Sequence, residues 1–293
     1  MTVEPTVLTV AGLALSGLRI EPRRAPAVAT ILALPGGGYS SGYWHHPLCP
    51  EASLLTTGAF LGYRVIALDR PGYRLSARPG DEGMLLDDQA SVVAEIVATL
   101  NAEEGAGEGV FLVGHSMGGI IALMAASLRR APRLLGLDVS GVPRRFSDDL
   151  ATAVALELDP ESDGHPPADL SAARLFYGPT GTFDGRLLVG GDVSAEPLPM
   201  TELRDSFAWP DRFVEVAAAI NAPVQFTLGE FERTSRADPG SLADIAALFP
   251  ASPRVITWLQ SGAGHNISLH HVARAYHLRA FAFFDEVLAQ GRR

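Results

Sequence analysis

The stretch LVGHSMGGIIALMAA, from Leu112 to Ala126, joins a short apolar run to a helix-like sequence through a lone serine. Gly114 and Gly118 stand two residues to either side of Ser116, in the pattern G-x-S-x-G. A strand that turns sharply into a helix leaves no room for Cβ atoms beside the turn, and glycine removes them. The pattern therefore predicts a tight strand-to-helix turn that presents the Ser116 hydroxyl above a sheet.

Strand-like and helix-like patterns alternate on both sides of this turn. Apolar runs such as ATILALP, YRVIALD, RLLGLDV and RVITWLQ alternate with segments of helical period such as DDQASVVAEIVATLNA. Near the amino terminus, Arg19 and Glu21 end an apolar stretch well short of a membrane span, and two short strands are favoured there instead. The predicted fold class is α/β, with a mostly parallel central sheet flanked by helices.

The alternation stops between residues 142 and 212, where segments such as FYGPTGTFDG and GGDVSAEPLPM contain proline and glycine without a strand pattern. In open α/β sheets, ligands bind at the carboxyl edge of the strands, and an insertion between strands lies at that edge. We therefore predict a core formed by residues 1–141 and 213–293 and a lid formed by residues 142–212.

The charge and cysteine content limit the classes of partner. The chain has 33 acidic and 23 basic residues, a formal net charge of -10, and no run rich in lysine or arginine. This balance excludes the basic surface expected of a nucleic-acid-binding protein, and we expect a small-molecule substrate with neither a nucleic-acid nor a membrane partner. A single cysteine, Cys49, cannot form an internal disulfide, so a cytoplasmic location is expected. The sequence does not indicate an oligomeric state.

Over nearly its whole length the sequence resembles the α/β-hydrolase superfamily. The matching segments are PGGGY at 35–39, DRPGY at 69–73, GHSMGG around Ser116, and GAGHN at 262–266. The resemblance implies an α/β-hydrolase fold with a catalytic triad and an oxyanion hole, and neither a cofactor nor a metal ion. One departure from the family is Pro35, which stands where members usually carry a histidine. The loop after the third strand is therefore expected to be anchored differently from that of the family.

Ser116 is the predicted nucleophile. A serine hydroxyl is a poor nucleophile at neutral pH and needs a base within hydrogen-bond reach. His265 follows the last predicted strand, at the position where the resemblance places the base. The first amides of the helix after the nucleophile point toward an oxyanion, so the Met117 N–H is a predicted donor. The resemblance places the second donor on Gly37, with Gly38 as the neighbouring choice.

The acidic member of the triad has more than one candidate. The resemblance places it after the strand that follows the lid, three residues beyond a glycine, which is Glu232 counted from Gly229. Asp138, which ends the strand after the nucleophile helix, is the alternative acid, because a carboxylate in an apolar strand needs a partner. Glu230 is a third option.

Aromatic residues follow the oxyanion loop and recur in the predicted lid, where they line a substrate pocket or form the core of the lid. The predicted substrate-binding residues are Gly38, Tyr39, Tyr43, Trp44, Phe176 and Trp209. An apolar pocket suits a hydrophobic or medium-sized ester, thioester or lactone. The predicted function is a serine esterase or thioesterase that forms an acyl-enzyme on Ser116. The alternatives are acyl transfer, cyclisation or lyase chemistry with the same triad, and a receptor that binds a ligand without catalysis.

Overall fold

A computed structural model of the protein describes residues 2–23, 26–77, 83–158, 171, 173–190, 192–237 and 239–291. Within these residues the strands are β1 (Glu4–Val10), β2 (Leu13–Ile20), β3 (Thr30–Leu34), β4 (Arg64–Leu68), β5 (Val110–His115), β6 (Leu134–Ser140), β7 (Val224–Gly229) and β8 (Val255–Gln260). They form one sheet in the order β1-β2-β4-β3-β5-β6-β7-β8. β2 pairs antiparallel with β1 and β4, and the remaining neighbours are parallel. The predicted fold class is confirmed.

The α-helices lie mainly in the connections between parallel strands, as the alternating pattern predicts. In the described part of the chain they are α1 (Leu54–Phe60), α2 (Leu86–Ala102), α3 (Met117–Ser127), α4 (Asp148–Leu158), α5 (Met200–Ser206), α6 (Trp209–Ala219), α7 (Pro239–Ala246) and α8 (Ala273–Gly291). None of these helices combines the length and the apolar character needed to cross a membrane.

Two apolar layers cover the two faces of the sheet. Successive side chains of a strand point to opposite faces, and β5 shows this directly, with Phe111 in one layer and Leu112 in the other. The Leu112 layer includes residues of α2, α3 and α6, among them Ile121 and Phe213. The Phe111 layer includes residues of α1 and α8, among them Phe281. Strands β3, β4 and β5 are buried throughout because helices cover both faces.

We call the segment between β6 and α6, residues 141–208, the insertion; residues 159–170, 172 and 191 lie outside the described part. Isolated β-bridges join it to the rest of the chain at Tyr39 with Ala195, Phe146 with Ser235, and Phe183 with His270. The predicted boundary at residue 212 falls inside α6. Because Trp209 and Phe213 of that helix are buried in the core, the boundary is corrected to the start of α6.

The fold brings the loops after several strands to one edge of the sheet. The loop after β3 carries Gly37, the turn after β5 carries Ser116, and the loops after β7 and β8 carry Glu232 and His265. Because these strands are parallel, their carboxyl ends lie at the same edge, beside the insertion.

Candidate active site

The turn at Ser116 has the strained backbone that the sequence predicts. Ser116 has φ of 50° and ψ of -120°, between the end of β5 and the start of α3. A Cβ atom at Gly114 would lie 2.6 Å from the Gly118 carbonyl oxygen, and one at Gly118 would lie 2.3 Å from the Leu34 oxygen. Steric exclusion therefore explains both glycines. The Ser116 N–H donates to the Ser140 carbonyl at 2.7 Å, which ties the turn to β6.

A buried carboxylate orients the imidazole of His265. Nδ1 of His265 lies 2.9 and 3.0 Å from the two carboxylate oxygens of Glu232. The hydroxyl and the N–H of Thr234 donate to the same carboxylate at 2.7 and 2.8 Å. An ionised carboxylate only accepts hydrogen bonds, so Nδ1 carries the proton and Nε2 keeps a free lone pair. Burial raises the pKa of Glu232, but the electrostatic attraction of the His265 ring, with hydrogen bonds from His265 and Thr234, outweighs burial and lowers the pKa overall.

Ser116 and His265 line the same cavity, which has a volume of about 320 Å³. The His265 ring lies close to the rings of His115 and Phe176, with centroid separations of 4.7 and 5.5 Å. Within the described residues the Ser116 hydroxyl has no hydrogen-bond partner. Such contacts between nucleophile and base often tighten only when substrate binds.

Gly37 and Met117, the two predicted oxyanion donors, line the same cavity as Ser116. Met117 is the first residue of α3, so its N–H has no acceptor within the helix. A Cβ at Gly37 would lie 3.0 Å from Cε of Met117, which shows how closely the two residues approach. The Gly38 N–H donates to the Tyr73 hydroxyl at 3.1 Å, whereas the Gly37 N–H has no partner in the described part of the chain. The geometry therefore favours Gly37 over Gly38 as the second donor.

His115 is a second buried histidine in this cavity, and its contacts differ from those of His265. Its Nδ1 lies 3.1 Å from the Ser140 hydroxyl and its Nε2 lies 3.3 Å from the Asn266 amide oxygen. Its ring stacks on Tyr43 at 4.8 Å. Burial, followed by the proximity of His265, lowers the pKa of His115 well below its usual value. Both ring nitrogens of His115 thus have partners within the described part of the protein, in contrast to Nε2 of His265.

A chain of hydrogen bonds that the sequence reading missed runs from the cavity wall into the insertion. The Asn266 amide donates to the Tyr39 hydroxyl at 2.8 Å, and the hydroxyls of Tyr39 and Tyr177 lie 3.2 Å apart. Tyr177 then donates to Asp192 at 2.6 Å. Burial raises the pKa of Asp192, but hydrogen bonds led by His46 lower it to about 2. In the sequence, the one pointer to this hydrogen-bond chain is Asn266, the polar residue directly after His265.

The remaining cavity wall is largely apolar. Helix α3 supplies Ile120, and the insertion supplies Pro143, Phe146, Leu150, Val154, Leu198, Leu203 and Phe207. No aspartate, glutamate, lysine or arginine of the described residues lines this cavity. Nor do the described residues contain a group of three or more histidine, cysteine, aspartate or glutamate side chains that could hold a metal ion.

The sequence was also compared with models of known protein families. Residues 31–278 match the model of the alpha/beta hydrolase family. The chain belongs to the alpha/beta hydrolase family. No curated protein matches its sequence.

Solved structures of other proteins share the fold of this alpha/beta hydrolase. A soluble variant of monoglyceride lipase from Saccharomyces cerevisiae is 16% identical, with a TM-score of 0.73 and coverage of 98% of this chain and 96% of that one. A thermostable carboxyl esterase from Bacillus coagulans is also 16% identical, with a TM-score of 0.72 and coverage of 98% and 99%. A putative aryl esterase from Burkholderia cenocepacia is 17% identical, with a TM-score of 0.71 and coverage of 98% and 100%.

Half of the predicted substrate-binding residues line the cavity of this alpha/beta hydrolase, namely Gly38, Tyr39 and Phe176. The other half do not, and this expectation is corrected: Tyr43, Trp44 and Trp209 are each 1% exposed and belong to the hydrophobic core. The indole of Trp209 donates to the Pro143 carbonyl at 2.9 Å while its ring packs against the core. Aromatic composition alone does not separate a pocket wall from the core beneath it.

Of the carboxylates proposed as the acid, Glu232 is the one that contacts His265 within the described residues. The alternative Asp138 instead accepts hydrogen bonds from Gln225 and Tyr276 at 2.8 and 2.9 Å, and these contacts favour a structural role. Burial raises the pKa of Asp138 to about 6. Glu230 accepts a hydrogen bond from the Gly262 N–H at the surface.

Proposed function

We propose that this protein is a serine hydrolase that cleaves a carboxylic ester, thioester or lactone of a neutral, hydrophobic or medium-sized small molecule through an acyl-enzyme on Ser116. The carrying observation is that a strained serine and a histidine held by a buried carboxylate share one cavity with two available amides. Membership of the alpha/beta hydrolase family and structural similarity to a lipase and to esterases support ester hydrolysis in general.

The proposed mechanism assigns each group one task. Ser116 Oγ attacks the acyl carbonyl while Nε2 of His265 accepts its proton. Glu232 keeps the proton on Nδ1 and stabilises the imidazolium that forms. The N–H groups of Gly37 and Met117 donate to the oxyanion. His265 then returns the proton to the leaving oxygen or sulfur, and a water molecule hydrolyses the acyl-enzyme by the same route.

The cavity wall supports a neutral acyl group. A charged substrate would lose hydration in a cavity whose described lining contains no compensating charged side chain. A volume of about 320 Å³ lies at the small end of ligand pockets, which favours a short or medium acyl chain or a single ring. Leu203 and Phe207, at the end of the insertion, contact this space, and we propose that the insertion serves as a lid over the acyl group.

A panel of p-nitrophenyl esters tests this function. Neutral acyl chains of increasing length are compared with chains of equal length that end in a carboxylate, and kcat/KM is measured for each. We expect turnover of the neutral esters and at least a roughly tenfold preference over the charged partner of equal length, because burial of an unpaired carboxylate is costly. Mass spectrometry after treatment with an organophosphonate should place the adduct on Ser116.

The controls separate the alternative chemistries. Ser116→Ala should lose both turnover and the phosphonate adduct. Stoichiometric acylation of Ser116 without turnover would favour a transferase or a receptor, since water would then not be the acceptor. Absence of any acylation or turnover would contradict the serine hydrolase and leave lyase chemistry as the reading to test.

A further inference from the structure

The loop after β3 is held by a buried arginine from the neighbouring strand end. Arg70, in the DRPGY segment after β4, is 1% exposed. Its Nε donates to the Pro35 carbonyl at 3.0 Å and its Nη2 donates to the Gly36 carbonyl at 2.9 Å. This is the anchor of a loop in which Pro35 replaces the histidine expected from the family resemblance.

The Gly36 contact bears directly on the donor at Gly37. The Gly36 carbonyl and the Gly37 N–H belong to one peptide unit, which is planar and trans, so they point in opposite directions. A guanidinium that fixes the carbonyl therefore also fixes the direction of the N–H. The positive charge at the carbonyl oxygen further polarises that unit and strengthens its N–H as a donor.

The charge of Arg70 is balanced by a carboxylate from the insertion. Both oxygens of Glu202, in α5, accept hydrogen bonds from the guanidinium, one of them at 2.8 Å. The Tyr73 hydroxyl also donates to Glu202 at 2.8 Å and accepts the Gly38 N–H. Burial opposes ionisation of Arg70, but Glu202 outweighs this effect and keeps its pKa above the usual value.

Helix α5 contributes to both the ion pair and the cavity. Glu202 is fully buried against Arg70, whereas Leu203 and Ser206 of the same helix line the cavity. A displacement of α5 by an acyl group would thus act on the loop through the ion pair with Arg70 and through the Tyr73 hydroxyl. Net stabilisation is a weak explanation for such a pair, because the cost of desolvating two buried charges offsets most of their attraction.

We propose that Arg70 is a positioning residue that aims the Gly37 N–H at the oxyanion, and that Glu202 couples this peptide to the substrate-facing helix α5. The inference rests on the proposed serine-hydrolase function and deepens it. Arg70 acts through the peptide and does not touch the reacting atoms.

Arg70→Lys tests the positioning role, because lysine keeps the charge but lacks the planar fork that holds two carbonyls and a carboxylate together. Removal of an oxyanion donor costs about 10²- to 10³-fold in kcat, and misdirection of one donor should cost about 10- to 100-fold. We expect kcat to fall by that factor while KM stays within about threefold. Affinity for a trifluoromethyl ketone, whose adduct carries an oxyanion, should fall with kcat/KM.

Arg64→Lys is the matched control. Arg64 is also a buried guanidinium, bonded to Glu21, to Glu103 and to the Glu104 carbonyl, but it lies at the start of β4, at the opposite edge of the sheet. Its variant should keep kcat within about twofold per folded molecule. Equal losses in the Arg64 and Arg70 variants at equal folded fraction would overturn the positioning role, as would an Arg70→Lys effect confined to KM.

Glu202→Gln tests the coupling and replaces Arg70→Lys if that variant does not fold. It should lower kcat and ketone affinity together, and the double variant should lose no more than the worse single variant, because both act on one peptide. Additive losses would overturn the coupling, and an unchanged kcat in Glu202→Gln would do the same. Failure of the wild-type protein to hydrolyse esters or bind the ketone would instead reject the proposed function itself.

Discussion

Replacement of Glu232 by glutamine should place the proton of His265 on the wrong nitrogen. Oε1 accepts two hydrogen bonds from Thr234 at 2.7 and 2.8 Å, so the carbonyl oxygen of the glutamine belongs at that site. Its NH₂ group then faces Nδ1 of His265, where Oε2 now lies at 2.9 Å. An NH₂ group only donates, so we expect Nδ1 to act as the acceptor opposite it and the proton to move to Nε2, even though Oε1 also lies 3.0 Å from Nδ1. Nε2 then cannot accept the proton of Ser116.

The expected loss follows from this tautomer. The acid-to-amide change in a comparable triad costs about 10⁴-fold through the same exchange of tautomer, which corresponds to roughly 5 kcal/mol of transition-state stabilisation. We expect kcat/KM of Glu232→Gln to fall by about 10³- to 10⁴-fold on the best p-nitrophenyl ester. The assay records kcat/KM across pH together with the folded fraction from circular dichroism.

Asp138→Asn is the matched control, since it makes the same chemical change at the other buried carboxylate. Its partners are Gln225 and Tyr276, so its kcat/KM per folded molecule should stay within about threefold. A rate in Glu232→Gln within tenfold of the wild type would refute the assignment of the acid. A large loss confined to Asp138→Asn would move the acid to the end of β6.

Further predictions concern the nucleophile, the donor loop and pH. Ser116→Ala should lose at least about 10³-fold in turnover, measured with the best ester, because no acyl-enzyme can form. Gly37→Val should lose activity with little change in melting temperature. The added Cβ would meet only the ends of flexible side chains, Met117 Cε at 3.0 Å and Leu198 Cδ1 at 3.1 Å. Equal losses of folded fraction and of rate would contradict this prediction. Burial raises the pKa of Asp138 from 3.8 to about 6, so the folded state binds this proton more tightly than the unfolded state. The wild type then loses up to roughly 3 kcal/mol of stability as pH rises through that window, and the melting temperature of Asp138→Asn relative to wild type should increase from pH 4 to pH 8.

Local chemistry made much of the fold predictable. The turn at Ser116 was predictable because a Cβ at Gly114 would strike the backbone of Gly118, within the same five residues, and a Cβ at Gly118 would strike the backbone of Leu34 at the end of β3. The alternation of strands and helices follows from periodic burial, which acts over one element at a time. The position of His265 after β8 agrees with the place expected from the family resemblance.

Contacts between residues far apart in the chain could not be predicted from the sequence. From the sequence, Glu232 and Asp138 were both expected at the carboxyl edge of the sheet, but Asp138 lies inside β6, and it is Glu232 that contacts His265, in a loop where Thr234 also lies 3.0 Å from the imidazole. The sequence alone does not tell whether Trp209 faces a pocket or the core, because this depends on how α6 packs against the sheet. The same limit hid the pairing of Arg70 with a residue 132 positions away.

The insertion contributes hydrogen-bond partners to the candidate site as well as part of the cavity wall. Glu202 of α5 holds the arginine that anchors the loop after β3, and Asp192 ends the hydrogen-bond chain that fixes Tyr39 at the cavity wall. Phe146 bridges to Ser235, next to Thr234, which donates to the Glu232 carboxylate. The insertion thus supplies partners for several groups around the candidate site that the sheet edge alone does not provide. Substitutions in the insertion should therefore alter kcat as well as the choice of acyl group, in contrast to a cover that only excludes water.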